Sequence, residues 1–469
     1  MTCSEEHKHS GASRNERRCI VLDLLIKNGK YPDFEKNELV RGNIGIINGT
    51  ITYIGTGIPA AEKMIDAEGK VVSPGFIDIH MHEDDLSEGD FVIGRLMLKM
   101  GVTTACGGNC GIQHQRLDKF KSYIQKEGSP INWVMLVGYN SFRQMLGLGH
   151  EEEAGDDLKK RIRELIEEEL SDGASGISFG IEYDPGIRYE DMIDVLSLLQ
   201  GKPYLASAHF RLSGNGAIES IKEMGALSED TGVKFQISHL CSCSATGQMR
   251  DSLKLIEKLI KKNPLLDFDT YPYNAFSTLI GSAVFEEESM KQWGGSPEDI
   301  MLTKEPYKNV YCTEKIIKEV RRMYPEMMAV GFTMNEEEVA AAVAAAYGMI
   351  GSDGTLYRGE GHPRAAGTFP RVLGKYVREE KKLSLIDALK KMTIKPADRL
   401  NLFRKGRIEE GADADLTILD PEIIIDGADY TDINIPPKGI CYVILDGRIA
   451  VEDNTIIDEK IGRFIPFKG

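Results

Sequence analysis

No stretch of this chain stays apolar for the roughly 20 residues a membrane-spanning helix needs, and no segment is repeated or of low complexity. Positive charge is in deficit: 57 Lys and Arg face 73 Asp and Glu, leaving a formal net charge of −16. That argues against nucleic acid or an anionic membrane as a partner. Cysteine is sparse, 8 in 469 residues, and too unevenly scattered for a disulfide framework, so a reducing, cytoplasmic setting is expected. Residues 1–19 lack an apolar core and carry Glu5, Glu6, Lys8, Arg14, Arg17 and Arg18. They read as a disordered start rather than an export signal, with His7 and His9 solvated. The chain is too long for one small core and suits a barrel plus a second domain.

What is present begins with Pro74-Gly75-Phe76-Ile77-Asp78-Ile79-His80-Met81-His82. Pro74-Gly75 marks the start of a short buried strand, and residues i and i+2 of a strand share a face. His80 and His82 therefore present two imidazoles side by side, as a metal ion needs. Other ligand types end other strand-like runs: Cys110 after Gly101–Ala105, His209 after Pro203–Ala208, His239 after Val233–Ser238, and Asp353 after Gly348–Ser352. His80 to Cys110 is 30 residues, and so is His209 to His239. One strand–helix unit of a (β/α)8 TIM-like barrel takes roughly 30 residues, and barrel active sites sit at the carboxyl ends of the strands. The ligands then fall on strands 1, 2, 5, 6 and 8.

The ends of the chain read differently. Ile20–Gly29 is a strand closing on an Asn-Gly turn, Asn43–Gly55 a hairpin turning at Asn48-Gly49, Asp415–Asp420 a strand, and Tyr442–Ala450 a hairpin turning at Asp446-Gly447. Residues 20–72 and 405–469 thus predict one small β-sandwich built from both termini, around a barrel over 73–404. Within the α/β middle, Trp133–Gly138 is strand 3, Asp156–Leu170 an amphipathic helix, Gly173–Ile181 strand 4 and Leu265–Tyr271 strand 7. Asn335 and Ser384 open helices. Residues 272–334 are too long for one barrel connection and read as a lid or substrate pocket.

These motifs resemble the amidohydrolase superfamily and, within it, the N-acyl-D-amino-acid deacylases (D-aminoacylases). The general marks are Pro74–His82, Lys395–Leu400 and Gly406–Leu416. The narrower ones are Gly108–Gly111, Gly180–Gly186, Asp269–Tyr273, His362–Arg364 and Gly367–Gly374. The resemblance implies one tightly held zinc, bound by Cys110, His209 and His239, with His80 and His82 at a second, weaker site that Cys110 bridges. It implies Asp353 as the catalytic aspartate, and Arg364 and Tyr271, assisted by Ser277, gripping the carboxylate of a small-molecule amide substrate. Many superfamily members bridge two metals with a strand-4 lysine; this chain has Ser178 there. The deacylases usually carry a lysine two residues after the strand-6 histidine; this chain has Cys241, so a cation is missing and the substrate is expected to be less acidic or different.

Zinc would lower the pKa of water towards ~7, and Asp353 would pass the proton to the leaving amine. The thiolate of Cys110 suits zinc and not magnesium. The duller readings are a turn at Asp353-Gly354, a buried thiol at Cys110, and a surface salt bridge at Arg364. Cys106, Cys241 and Cys243 read as buried thiols. His114, His150 and His362 read as structural, with His362 the best candidate to support the site from behind. A cyclic amidase of the dihydroorotase or hydantoinase kind is the alternative, disfavoured by the absent lysine. A metal-binding scaffold without catalysis is the third reading.

Overall fold

The computed structural model describes residues 21–86 and 89–468; the expectations for residues 1–19 lie outside the described residues. Nine strands join in one mixed sheet that draws on both halves of the chain. Leu22–Asp33, Glu38–Ile47, Thr50–Gly55, Ala61–Asp66 and Val71–Pro74 meet Leu416–Leu419, Ile440–Leu445, Arg448–Glu452 and Thr455–Ile456. The seam is antiparallel, with Pro74 opposite Leu416 and Val71 opposite Leu419. Leu24, Ile26, Ile44, Ile46, Val72, Leu416 and Ile418 pack into a core of their own. Asn48-Gly49 and Asp446-Gly447 turn their hairpins with positive φ at both residues, as the tight turns of right-twisted hairpins require. Asn28-Gly29 does not turn the chain. The strand Leu22–Asp33 runs through it, with a break in register between Ile26 and Gly29. Asn28 has φ 64°, and its N–H is taken by the Asn43 side chain at 2.8 Å, so the pair makes a bulge.

The middle of the chain is α/β with parallel strands. Phe76–Asp78, Val102–Gly107 and Asn132–Met135 pair in that order. Val137–Gly138, Gly176–Gly180, Leu205–His209, Lys234–Ile237, Leu266–Thr270 and Met349–Ile350 pair in that order. Only Leu136 separates the last strand of the first group from the first of the second. At the far end Met81 bridges Gly354 in parallel, and Asp353 N donates to His80 O at 2.7 Å. The strands are buried almost throughout and read as apolar runs, as parallel strands covered on both faces do. Helices separate most of them, including Asp156–Ser171, Ala217–Thr231 and Met249–Lys262. Asn335 caps Glu336–Ala344 by accepting from Glu338 N at 3.1 Å, and Ser384 caps Leu385–Met392 by accepting from Asp387 N at 3.1 Å.

Most regular strands are shorter than the sequence suggests. Phe76–Asp78 ends before His80, Lys234–Ile237 before His239, and Met349–Ile350 before Asp353. At three of the sites the reason is local: Cys110, His239 and Asp353 have φ of 52°, 31° and 49°, which breaks regular strand pairing. Residues 272–334 are more than a loop. Phe276–Leu279, Met328–Gly331 and Ile300–Leu302 form an antiparallel sheet beside the helix Glu314–Met323, around Ile280, Phe285, Trp293, Ile300 and Val320. Among the described residues no helix is long and apolar enough to cross a membrane.

Candidate metal centre

The residues just past four parallel strands, Phe76–Asp78, Val102–Gly107, Lys234–Ile237 and Met349–Ile350, meet at one place. There His80, Cys110, His239 and Asp353, all buried, bring one ligand atom each within 4.8 Å of one another. Cys110 Sγ is 3.3 Å from His80 Nε2 and 3.3 Å from His239 Nε2. The row continues on both sides. His209 Nδ1 lies 3.0 Å from His239 Nε2, and His82 Nε2 lies 3.2 Å from Asp353 Oδ1. All six sequence-predicted metal and catalytic residues are therefore contiguous. The tightest grouping, however, takes in His80 and Asp353 and leaves His209 and His82 at its flanks. Three of the six carry left-handed backbone, at a cost of about 1–3 kcal/mol each, the kind of strain that collects at functional sites.

Each central imidazole is fixed from behind. His80 Nδ1 is 3.2 Å from Asp269 Oδ1, at ion-pair distance but without hydrogen-bond alignment, and the same oxygen accepts from His239 N at 2.7 Å. His239 Nδ1 is 2.8 Å from Ser242 Oγ. His209 Nε2 is 2.7 Å from Glu182 Oε2, which also accepts from Ser213 Oγ at 2.7 Å. These partners leave His80 Nε2, His239 Nε2 and His209 Nδ1 aimed at the centre, the arrangement in which outer hydrogen bonds orient metal-binding histidines. Ser178, where a lysine might have been, accepts from Gly111 N at 2.9 Å and donates to Gly108 O. It thus clamps the turn that carries Cys110.

The charges compensate one another. Burial opposes ionisation of Cys110, but His80 and His239 hold its thiol well below the usual range. Burial also works against Asp353, yet Arg364, His239 and His82 hold its carboxyl well below the carboxylate range. Against their own burial, His82 is raised to about 9 by Asp353 and Cys110, and His209 to about 9 by Cys110 and Glu182. A thiol and a carboxyl both held low among imidazoles make a cluster in which a cation can replace protons. The soft sulfur and imidazole donors fit zinc.

Arg364 is 1% exposed, with Nη1 2.9 Å from Asp353 Oδ2 and Nη2 donating to Ser277 O at 3.1 Å. Its guanidinium stacks over Tyr271, 4.7 Å from the ring centroid. Neither Arg364 nor Tyr271 lines a cavity. The pair stands behind Asp353, and the salt bridge of Arg364 is a buried one. Ser277 does reach the cavity, with its hydroxyl buried and unpartnered among the described residues. A cavity of about 690 Å³ opens beside His82 and Asp353, and a compartment of about 30 Å³ beside His209 and His239. Tyr183 lines both and lies 4.7 Å, ring to ring, from His209. Burial, with Cys110 and Asp353 nearby, keeps its hydroxyl protonated.

Cys106 and Cys241 are fully buried away from the cavities, and burial pushes the Cys241 thiol up to about 12. Cys243 is buried too, but its Sγ is 3.5 Å from His239 Nδ1 and borders the small compartment. His362 Nδ1 accepts from Arg364 N at 3.0 Å, placing it behind the site. His114 and His150 lie on the wall of the large cavity, His150 bound to Asp184 at 2.6 Å. Glu182, Tyr183 and Asp269 had been given no role from the sequence. Their signal was membership of Gly180–Gly186 and Asp269–Tyr273.

Residues 71–450 match the amidohydrolase family. The chain is 28% identical over 483 residues to D-aminoacylase of Alcaligenes xylosoxydans xylosoxydans, covering 95% of this chain and 97% of that protein. It is 28% identical over 466 residues to N-acyl-D-glutamate deacylase of the same organism, covering 91% and 93%. A solved D-aminoacylase, whose binuclear metal centre is described as activated by one metal and attenuated by the second, superposes with a TM-score of 0.86 at 26% identity. That superposition covers 95% of this chain and all of the other.

Proposed function

Because this chain belongs to the amidohydrolase family, we propose that it is a metal-dependent hydrolase of linear amides that removes the acyl group from N-acyl-D-amino acids. The observation that carries this is the contact of Cys110, His80, His239 and Asp353 at the edge of a cavity. The two relatives act on N-acyl-D-amino acids by name, which supports the D configuration. The parallel strands support a (β/α)8 barrel over 73–404, counting Asn132–Met135 and Val137–Gly138 as one strand and closing at Met81 and Gly354. The separate core of the nine-stranded sheet supports a sandwich from 20–72 and 405–469. The six described cysteines are all unpaired, which fits a reducing cytoplasm.

We assign the tight zinc to Cys110, His209 and His239, and a weaker second site to His80, His82 and Cys110. Zinc held there supplies the Lewis acid that makes water nucleophilic near neutral pH and polarises the carbonyl. Asp353 takes the proton of the attacking water and gives it to the departing nitrogen. Arg364 keeps Asp353 ionised until then. The protonated Tyr183 hydroxyl and the Ser277 hydroxyl are the neutral donors at the cavity neck, and Arg364 with Tyr271 draws the substrate carboxylate to this side.

Against a cyclic amidase stands Ser178, which holds the Cys110 turn and leaves no strand-4 lysine to bridge metals. The test is turnover of N-acetyl-D- and N-acetyl-L-amino acids, and of a hydantoin, by protein of measured zinc content. Cleavage of the D series alone is expected. Hydantoin opening, or full zinc with no cleavage at all, would replace this reading with the cyclic amidase or the inert scaffold.

A further inference from the structure

Arg399 closes the helix Ile394–Arg399, and its guanidinium reaches the strand that ends beside His239. Nε donates to Gln236 Oε1 at 3.1 Å, and Nη2 donates to Phe235 O at 2.6 Å. Gln236 is buried, and its Nε2 donates to Asp269 Oδ2 at 3.2 Å. The other oxygen of Asp269 accepts from His239 N at 2.7 Å and lies 3.2 Å from His80 Nδ1. A guanidinium, an amide and a carboxyl group thus stand in series behind two members of the metal cluster.

The polarity of the series admits one arrangement. A guanidinium has only donors, and both oxygens of Asp269 act as acceptors. The residue between them must accept on one side and donate on the other. A carboxamide does both, whereas an ionised Glu has no donor and Leu has neither group. The Gln236 amide is therefore oriented by its two neighbours. Asp269 is oriented in turn: with Oδ2 on Gln236, Oδ1 stays at the backbone of His239 and the ring of His80. His239 needs such a hold, since its φ of 31° turns the chain out of the strand. Gln236 and Arg399 line neither the large cavity nor the small compartment.

Resting on the metal assignment above, we propose that Gln236 and Arg399 are positioning residues for the zinc, acting through Asp269 to hold His80 and His239 in place. The arginine of Lys395–Leu400 is then the fixed cation at the far end of the series, which gives that segment a part in the chemistry of the site. Removing the amide leaves Asp269 Oδ2 and Arg399 Nε buried without partners and frees the Asp269 carboxyl to turn.

The experiment measures the zinc affinity of the full chain by chelator competition, which needs no turnover. Gln236→Met keeps the length and removes both hydrogen bonds, so affinity should fall about tenfold. Arg399→Met should lose no more than that, and Arg399→Lys, which keeps the charge, should lie nearer the wild type. The double variant should bind zinc as Gln236→Met does alone, because the arginine acts through the amide. Urea midpoints of the metal-free proteins are measured alongside. A merely structural role would move those midpoints and leave the affinity of the folded protein where it was. That pattern, or losses that add up in the double variant, would overturn the proposal while leaving the zinc site standing. Should Gln236→Met fail to fold, the two Arg399 variants decide, and wild-type affinity in both would overturn it. A wild type that binds no zinc would overturn the metal assignment itself.

Discussion

Arg364 Nη1 lies 2.9 Å from Asp353 Oδ2, in a pair where both side chains are almost wholly buried. A buried pair of this kind is costly to break, because removing one partner strands the other's charge. The guanidinium therefore acts before any substrate arrives: it holds the carboxyl of Asp353, the proposed general base, ionised. The motif His362-Pro363-Arg364 points to a contact with substrate, and the geometry shows a contact with Asp353 instead.

Arg364→Ala should accordingly lower kcat/KM by about ten- to a hundredfold or more. The loss should extend in part to carboxyl-esterified substrates, since Asp353 loses its partner in every case. A loss confined to substrates with a free carboxylate would leave Arg364 with a substrate role alone. Asp353→Asn, which cannot accept the proton, should reduce kcat by about 10²–10⁴-fold with most of the zinc retained. Steady-state kinetics and metal analysis on the same preparations check both.

Zinc content separates the two proposed sites. Cys110→Ala, His209→Ala and His239→Ala should each lose the tight ion and the activity together, whereas His80→Ala should keep most of the zinc. His80 nevertheless sits 3.3 Å from Cys110 within the tightest grouping. Equal losses in all four variants would mean that one site spans the whole row.

Glu182 supports the site through His209. Glu182→Ala removes the acceptor that turns His209 Nδ1 toward the centre, and zinc affinity should fall roughly 10- to 100-fold. Glu182→Gln keeps an acceptor oxygen at the same place and should recover most of that affinity. Chelator competition reads this without reference to turnover. Equal affinity in the wild type and both variants would show that His209 needs no such help.

The grouping of these residues was legible in the sequence because barrel strands repeat and metal chemistry restricts residue type. A histidine pair two apart, then cysteine, histidine, histidine and aspartate at strand ends, leave few alternatives. The parallel strands and the hairpins at Asn48-Gly49 and Asp446-Gly447 were legible for a like reason, since both are local patterns. What failed to show was whatever depends on distant residues meeting. Glu182 behind His209 is one of 73 acidic residues until the chain folds. The Asp269 contact to His80 joins the seventh parallel strand to the first. Cys241 marks a missing lysine, but only the fold reveals that its own thiol lies off the cavity wall. Asn28-Gly29 misled because the same dipeptide serves a turn or a bulge, and the partner strand decides which.

On the helix Leu385–Met392, Lys391 is 3% exposed, and burial lowers its ammonium to about 7. Its Nζ donates to Tyr347 O at 2.7 Å. In the unfolded chain the group titrates near 10.5, so between these values the unfolded state binds more protons and stability rises with pH. Below about pH 7 the buried charge opposes folding in full; above about 10.5 that opposition is gone. Relative to Lys391→Met, the wild type should gain on the order of a few kcal/mol on going from pH 7 to pH 10. Parallel urea melts of the two proteins at each pH measure the difference, and curves that run parallel across the range would contradict it.

The seam between Val71–Pro74 and Leu416–Leu419 sets an order of events during synthesis. A nascent chain emerges from its N-terminus and folds as it comes. The strands Leu22–Asp33 to Val71–Pro74 leave the ribosome first, yet their neighbours across the seam are translated only after nearly all of the parallel strands. Until then Val71–Pro74 offers an unpaired edge to any passing strand, the condition under which chains associate wrongly. Premature termination between Asp353 and Leu416 would therefore release a polypeptide that already holds every proposed metal ligand but has an open edge. Such truncated chains should be cleared by aggregation or proteolysis rather than persist as small active enzymes.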